Sequence, residues 1–330
     1  MPAMTEPAII VEGLTKNFGT VEALKGIDFE VPQGEIFGLL GPNGAGKTTA
    51  IRILSTILRP TAGRAVVLGH DVVREPAAVR YRIGLAGQFA AVDANLTGRE
   101  NLRLMGKLTH MDKERYLPRA DALLERFDLS DAADRTIKTY SGGMRRRLDV
   151  AAALMHSPPV LFLDEPTTGL DPQSRRALWD TIRELTNEGA TVLLTTQYLE
   201  EADLLAREVA VIDGGRVIAH DTPAKLKAQL GSTVIEMTWP DGKSAIAAQE
   251  SLAGPLKRTP EREDNLIRFT ADGPAVLIDV LRHLDTHNLP PASLGVREPS
   301  LDDVFLLLTG HHAEEVAEQK REAAKAGGAR

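Results

Sequence analysis

The chain has 330 residues, with 39 Lys and Arg against 46 Asp and Glu, a net charge of −7, and no cysteine. That length suits about two domains able to bury cores without covalent staples. Disulfides and cysteine-based zinc sites are excluded, and the acidic balance argues against a protein that coats nucleic acid. No window approaches the ~18 consecutive apolar residues of a membrane span. The opening MPAMTEPAIIVEGLTKNF lacks the basic flank and apolar core of a secretion signal. The chain therefore reads as soluble or membrane-peripheral and cytoplasmic.

Residues 8–14, 24–31 and 64–68 are apolar or β-branched and are separated by turns such as Pro32-Gln33-Gly34 and Thr61-Ala62-Gly63. They predict an N-terminal layer of short antiparallel strands. From Glu35 the texture changes to continuous apolar strands followed by helical patterns, at 36–40, 160–163, 191–195 and 209–212. Such strands are covered on both faces, which predicts a parallel sheet. Asp213-Gly214-Gly215 then reads as a hairpin into 216–218. Between Gln88 and Ser141 no strand stands out, and 99–107 and 119–127 have amphipathic helical spacing. This predicts an inserted helical subdomain over 89–140, within a first domain of 8–231.

After Gly231 the pattern restarts as strand 234–239, helix 244–252, strand 266–270, helix 275–287, strand 294–297 and helix 301–308. That is a small α+β domain over 232–310. Its second helix gathers Val276, Leu277, Val280, Leu281 and Leu284 on one face. Ser300-Leu301-Asp302-Asp303 has capping-box spacing. Residues 311–330 are rich in Ala, Glu and Lys and are expected to form a frayed helix and disordered tail.

Three motifs carry chemistry. Gly41, Pro42, Asn43, Gly44, Ala45, Gly46, Lys47 and Thr48, followed by Thr49, fit G-x-x-x-x-G-K-[ST] between a strand and a helix. The glycines let backbone N–H groups and a helix N-terminus wrap a phosphate. Lys47 is expected on the β- and γ-phosphates and the Thr48 hydroxyl on Mg²⁺. The strand at 160–163 ends in Asp164 and Glu165, whose side chains point to opposite sides and so should do different work. Asp164 suits Mg²⁺ and Glu165 suits the polarising of an attacking water. Ser141, Gly142 and Gly143 precede a helical run at 144–156 with arginines at 145, 146 and 147, a second potential anion clamp.

The order GPNGAGKTT, Gln88, YSGGMRRRLD, VLFLDEP, GLD, TTQYLEEAD resembles the ATP-binding cassette (ABC) ATPases that power membrane transporters. The likeness covers about residues 9–224. With REPSLDDVFLLLTG it looks like the daunorubicin/doxorubicin-resistance branch of drug-export ATPases and reaches about residue 310. The resemblance implies an α/β P-loop cassette with an antiparallel β layer and inserted helical subdomain, then the small α+β domain. It implies Phe18 as the aromatic on adenine, with a strand core residue as the lesser alternative. It implies Gln88 as the loop sensing Mg²⁺ and the membrane partner, Ser141–Gly143 as the signature, and Asp171 as the D-loop acid. ATP and Mg²⁺ are the implied cofactors. A second copy of the chain and separate membrane-spanning permease subunits are the implied partners, with the chain at the cytoplasmic face of the membrane.

Three positions depart from the family pattern. Tyr140 and Met144 flank the Ser-Gly-Gly where Leu and Gln are usual, and Gln197 occupies the switch position usually held by histidine. An amide donates a hydrogen bond but relays no proton, so a histidine-dependent mechanism does not transfer. A soluble non-transport ABC ATPase, or a regulatory nucleotide-binding module, is the competing reading. The single cassette and the complete set Lys47, Asp164 and Glu165 weigh against it. The segment 234–310 carries no phosphate-binding loop or paired catalytic acids and is expected to serve dimer assembly or docking.

Overall fold

The computed structural model describes residues 6–87, 92–230, 233–257, 259–271 and 273–308. Gln88 and the tail at 311–330 lie outside them. The chain divides into two compact units, Met1–Thr222 and Pro223–Arg330.

The first unit opens with the antiparallel pair β1 (Ile9–Phe18) and β2 (Val21–Val31). Both strands run longer than the apolar pattern predicts, because register shifts after Val11 and Lys16 absorb the polar residues. β3 (Ile36–Leu40) is buried throughout and leads into α1 (Lys47–Leu54). β4 (Ala62–Val67) pairs with β1, and β5 (His70–Asp71) pairs with β4, completing a four-stranded sheet. α2 (Pro76–Arg82) runs directly into β6 (Ile83–Ala86), a strand that the sequence pattern did not announce. A Cβ at its Gly84 would meet the Ala153 carbonyl oxygen at 2.5 Å, so the residue that weakens the strand signal is the one that lets a helix end approach.

The inserted helices are α3 (Gly98–Leu108) and α4 (Lys113–Arg126). Thr97 and Glu100 close a reciprocal capping box on α3. α5 (Gly142–Ala153) follows, starting two residues earlier than the periodicity suggests because Ser141 caps it. Then come β7 (Val160–Asp164), α6 (Pro172–Asn187), β8 (Thr191–Thr196), α7 (Leu199–Leu205), β9 (Glu208–Asp213) and β10 (Arg216–Asp221). The six-stranded sheet has the order β10-β9-β3-β8-β7-β6, parallel except at β10. A core including Leu24, Ile27, Phe29, Phe37, Leu39 and Ile51 fills this unit, with Phe29 and Phe37 stacked at 5.4 Å. The consequence for function is that the turns after β3, β7 and β8 all leave the same edge of the parallel sheet, where open α/β sheets hold ligands.

The second unit begins at α8 (Pro223–Ala228), in which proline occupies a first turn that needs no N–H. β11 (Thr233–Thr238), α9 (Gly242–Leu256), β12 (Glu261–Glu263), β13 (Leu266–Ala271), α10 (Pro274–Thr286), β14 (Ser293–Arg297) and α11 (301–308) follow. The antiparallel sheet β12-β13-β11-β14 buries Ile235, Met237, Ile267 and Phe269 against Ala245, Leu252, Val280 and Leu284. The capping box at 300–303 forms, with Ser300 N donating to Asp303 Oδ2 at 2.8 Å and Asp303 N to Ser300 Oγ at 3.3 Å. Arg297 grips the same carboxylate at 2.7 and 2.8 Å and Glu236 at 3.0 Å, which fastens α11 to the sheet.

Candidate nucleotide-binding site

The loop from Gly41 to Gly46 turns on positive φ angles of 151°, 84° and 113° at its three glycines. Glycine is required at two of them by space as well. A Cβ at Gly41 would collide with the Ile212 carbonyl oxygen, and one at Gly46 would lie 2.7 Å from the Ala23 carbonyl oxygen. Gly46 caps α1 without a side chain, so the first N–H groups of the helix remain available to an anion. Pro42, Asn43 and Gly44 are exposed, Ala45 is buried, and Thr48 and Thr49 are half-buried on the first turn of α1.

Lys47 is 4% exposed and its Nζ donates to the carbonyls of Gly41 at 2.7 Å and Pro42 at 3.1 Å. The same Nζ is 3.6 Å from Glu165 Oε1. Burial holds the Lys47 ammonium below its usual pKa, and the charges of Glu165 and Asp164 oppose that shift.

β7 and β8 are in parallel register with Asp164 opposite Thr195. Thr195 Oγ1 donates to Asp164 Oδ1 at 2.6 Å and accepts from Glu165 N at 3.0 Å. Thr48 Oγ1 donates to the same Asp164 oxygen at 3.2 Å. Glu165 adopts a left-handed φ of 50°, and Thr168 Oγ1 donates to its Oε2 at 3.4 Å. The two acids separate, Asp164 toward Thr48 and Glu165 toward Lys47, but not by strand alternation: β7 ends at Asp164, and Glu165 is turned by its left-handed backbone.

Ser141 Oγ accepts from Met144 N at 3.2 Å, and Gly143 packs so closely that an added Cβ would lie 3.2 Å from Ser174 Oγ. Asp171 caps α6, accepting from Ser174 N at 2.9 Å and Ser174 Oγ at 2.6 Å. These bonds hold its carboxyl below the usual range. Ser174 thus joins the signature and the D-loop acid within one chain. Among the described residues no hydrogen bond or ion pair links either of them to the P-loop.

The arginines after the signature do not form a basic anion-facing cluster. Arg145 donates to the carbonyls of Tyr140 and Lys138, and Arg147 to that of Phe127. Arg146 turns inward, donating to the carbonyls of Asp164 at 2.7 Å, Pro166 at 2.8 Å and Gly87, and pairing with Asp149 at 3.4 Å. It fastens α5 to the backbone on both sides of Glu165. The signature's departure at Tyr140 is accommodated inside the helical subdomain: the ring is buried and its hydroxyl donates to the Ala132 carbonyl at 2.7 Å.

Phe18 ends β1 and is 48% exposed, with Lys16 Nζ 5.1 Å from its ring centroid, so it is not a core residue. Gln197, just past β8, is also exposed. Gln88 lies outside the described residues. Sequence reasoning missed Thr195 and Glu201, and it read Arg146 only as part of a basic helix start. Glu201 is fully buried on α7 and its Oε1 accepts from Trp179 Nε1 at 2.9 Å. Burial raises its pKa, partly countered by the Trp179 hydrogen bond.

A loop that presents bare helix N–H groups and a lysine, beside a hydroxyl, a buried aspartate and a glutamate, can hold a nucleotide polyphosphate and act on water next to it. The model of the ABC transporter family matches residues 24–168. The chain is 52% identical to the daunorubicin resistance ATP-binding protein DrrA3 of Streptomyces coeruleorubidus, over 93% of this chain and 97% of that protein. It is 49% identical to the daunorubicin/doxorubicin resistance ATP-binding protein DrrA of Streptomyces peucetius, over 96% and 99% of the two chains. A solved dimeric ATP-binding cassette in a post-hydrolysis state with ADP and Pi superposes at a TM-score of 0.61, with 25% identity, over 65% of this chain and 98% of that one. No helix among the described residues is long and apolar enough to cross a membrane. The chain is an ATPase and belongs to the ABC transporter ATP-binding proteins of the daunorubicin/doxorubicin-resistance type.

Proposed function

We propose that this ATPase drives the export of drugs or other hydrophobic compounds through separate membrane-spanning permease subunits, working as a homodimer at the cytoplasmic face of the membrane. The observation that carries the reading is the convergence of Lys47, Thr48, Asp164 and Glu165 at one edge of the parallel sheet. The resistance proteins to which the chain is about half identical supply the cargo class.

Lys47 and the N–H groups of the P-loop bind the β- and γ-phosphates, and exposed Phe18 stacks on the base. Thr48 and Asp164 offer converging hard oxygen donors, the set that Mg²⁺ prefers. Bound there, Mg²⁺ neutralises phosphate charge. Glu165 orients and deprotonates the attacking water, while Gln197 donates a hydrogen bond to the γ-phosphate. Ser141–Gly143 and Asp171 complete the site of a second copy. ATP favours the closed pair because it contacts both copies there and one in the open pair. Hydrolysis removes the bridging phosphate and lets the pair reopen. The second unit, without phosphate-binding chemistry, supports assembly or docking.

Lys47→Ala tests the site. Equilibrium titration with a fluorescent ATP analogue should show binding lost, because the principal side-chain cation facing the phosphates is gone. Near-native affinity in a folded variant would remove the P-loop assignment. Co-purification with a membrane subunit, and identification of the small molecules that travel with the complex, tests the export reading.

A further inference from the structure

We propose that Thr195 is a positioning residue for hydrolysis, whose single hydroxyl orients Asp164 and Glu165 together; this rests on the metal and base roles proposed for those two acids. Thr195 is fully buried at the C-terminal end of β8. Parallel pairing places it opposite Asp164, and opposed residues in a parallel ladder project to the same face. A slip of one residue would put Leu194 or Thr196 there and break the arrangement.

The hydrogen-bond roles around this hydroxyl are forced. Glu165 N–H can only donate, so it uses a lone pair of Thr195 Oγ1 at 3.0 Å. The hydroxyl proton is then left for the 2.6 Å contact, in which Thr195 Oγ1 donates to Asp164 Oδ1. One rotor is thereby locked at both ends. The Asp164 end holds a carboxylate that is only 3% exposed, where a short hydroxyl donor replaces lost water.

The Glu165 end holds strained backbone. A non-glycine residue at φ 50° costs energy and persists only where its surroundings fix it. Here the Glu165 N–H is shared between Thr195 Oγ1 and the Thr195 carbonyl at 3.1 Å. The left-handed turn sends the Glu165 side chain toward Lys47 while Asp164 remains under Thr48. Removing the hydroxyl frees one acid to rotate and loosens the backbone that aims the other. Thr48 also donates to Asp164 Oδ1, but at 3.2 Å and from a hydroxyl that the proposed metal site also claims. Thr195 is the donor that stays with Asp164 whatever Thr48 binds.

The test uses the full chain with Thr195→Val, which keeps the shape and deletes the hydroxyl, Thr195→Ala as a second deletion, and Thr195→Ser, which keeps the hydroxyl. Thr195→Val is expected to lower kcat by ~10–100-fold, the worth of a charge-assisted hydrogen bond, with KM for ATP within about 3-fold. Binding of a fluorescent ATP analogue is expected to need several-fold more Mg²⁺ for its half-maximal enhancement, a readout independent of turnover. Thr195→Ser should restore both. Unchanged kcat and Mg²⁺ dependence in a hydroxyl-deleted variant overturns the proposal even if its Tm falls, and so does a serine variant as impaired as valine. If Thr195→Val fails to fold, Thr195→Ala carries the same expectations. Glu165→Gln is measured alongside. Retained turnover there overturns the acid assignment and the proposal with it, whereas its loss together with full activity in Thr195→Val overturns the proposal alone.

Discussion

Replacing Glu165 by glutamine should affect ATP binding and ATP hydrolysis in opposite directions. The carboxylate lies 3.6 Å from Lys47 Nζ, and both side chains are almost entirely buried, at 10% and 4% exposure. At an effective dielectric of ~20, unit charges at this 3.6 Å separation interact by about 5 kcal/mol. That negative charge partly neutralises the lysine meant for the phosphates and also repels the phosphates themselves. With screening and with the amide dipole left in its place, ~1–2 kcal/mol of that interaction should appear as affinity, or ~5–30-fold tighter binding. Turnover should fall ~10²–10⁴-fold, the usual worth of a general base. The variant should then accumulate as an ATP-bound dimer. Fluorescent-nucleotide titration, phosphate release and size-exclusion chromatography read the three effects. Unchanged or weaker binding would refute the electrostatic argument, and turnover within a few-fold of wild type would place the base elsewhere.

Gln197→Ala should slow phosphate release less than Glu165→Gln, by ~10-fold or less, since an amide contributes one hydrogen bond; an equal loss would assign it a role beyond that bond. In the second unit burial works against the Asp303 charge, but Arg297 and Ser300 outweigh it and hold the carboxyl at about 2. Because this folded value is depressed, the stabilisation is complete above the unfolded value near ~4 and is lost as pH falls toward 2; it amounts to ~2 kcal/mol. Asp303→Asn should therefore lower urea stability at pH 7 and approach wild type only as the pH nears 2, and a deficit independent of pH would sink the argument. Glu201 has the opposite sign: burial raises its pKa, so its cost is present above the unfolded carboxyl value and vanishes below it. Glu201→Gln keeps an acceptor for Trp179 and should melt higher than wild type at pH 8, with the gain shrinking toward pH 4; a lower Tm at pH 8 would contradict this.

The parallel strands and the P-loop were legible because their signals are local. A continuous apolar run followed by glycines, lysine and a hydroxyl needs no distant partner to be read. β6 was not legible, since Gly84 interrupts a short run and the reason for it is the Ala153 carbonyl, far along the chain. Thr195 was hidden for a similar reason. A threonine at the end of a buried strand is ordinary until the register of β7 against β8 sets it beside Asp164. The arginines at 145–147 were read as a basic start to the helix whose hydroxyl and glycines form the potential anion clamp, yet charge does not say where a long side chain turns. All three instead satisfy carbonyls of their own chain. Phe18 was ambiguous because strand position alone leaves the face open, and its exposure decides against the core.

Two of the three departures from the family pattern, Tyr140 and Gln197, differ in how the chain accommodates them. Tyr140 brings a ring and a hydroxyl into a buried position, so its accommodation must be internal. The hydroxyl reaches the Ala132 carbonyl, and Gly98 supplies the space, since any Cβ there would strike the tyrosine oxygen. A change at Tyr140 should therefore appear first as lost packing in the helical subdomain. Gln197 is exposed at the end of β8, and no hydrogen bond of its side chain occurs among the described residues. Stability then gives little reason for an amide over any other polar group at this position. Whatever selects glutamine there must act when a phosphate is within its reach, which makes nucleotide-dependent kinetics, rather than unfolding, the informative measurement at this residue.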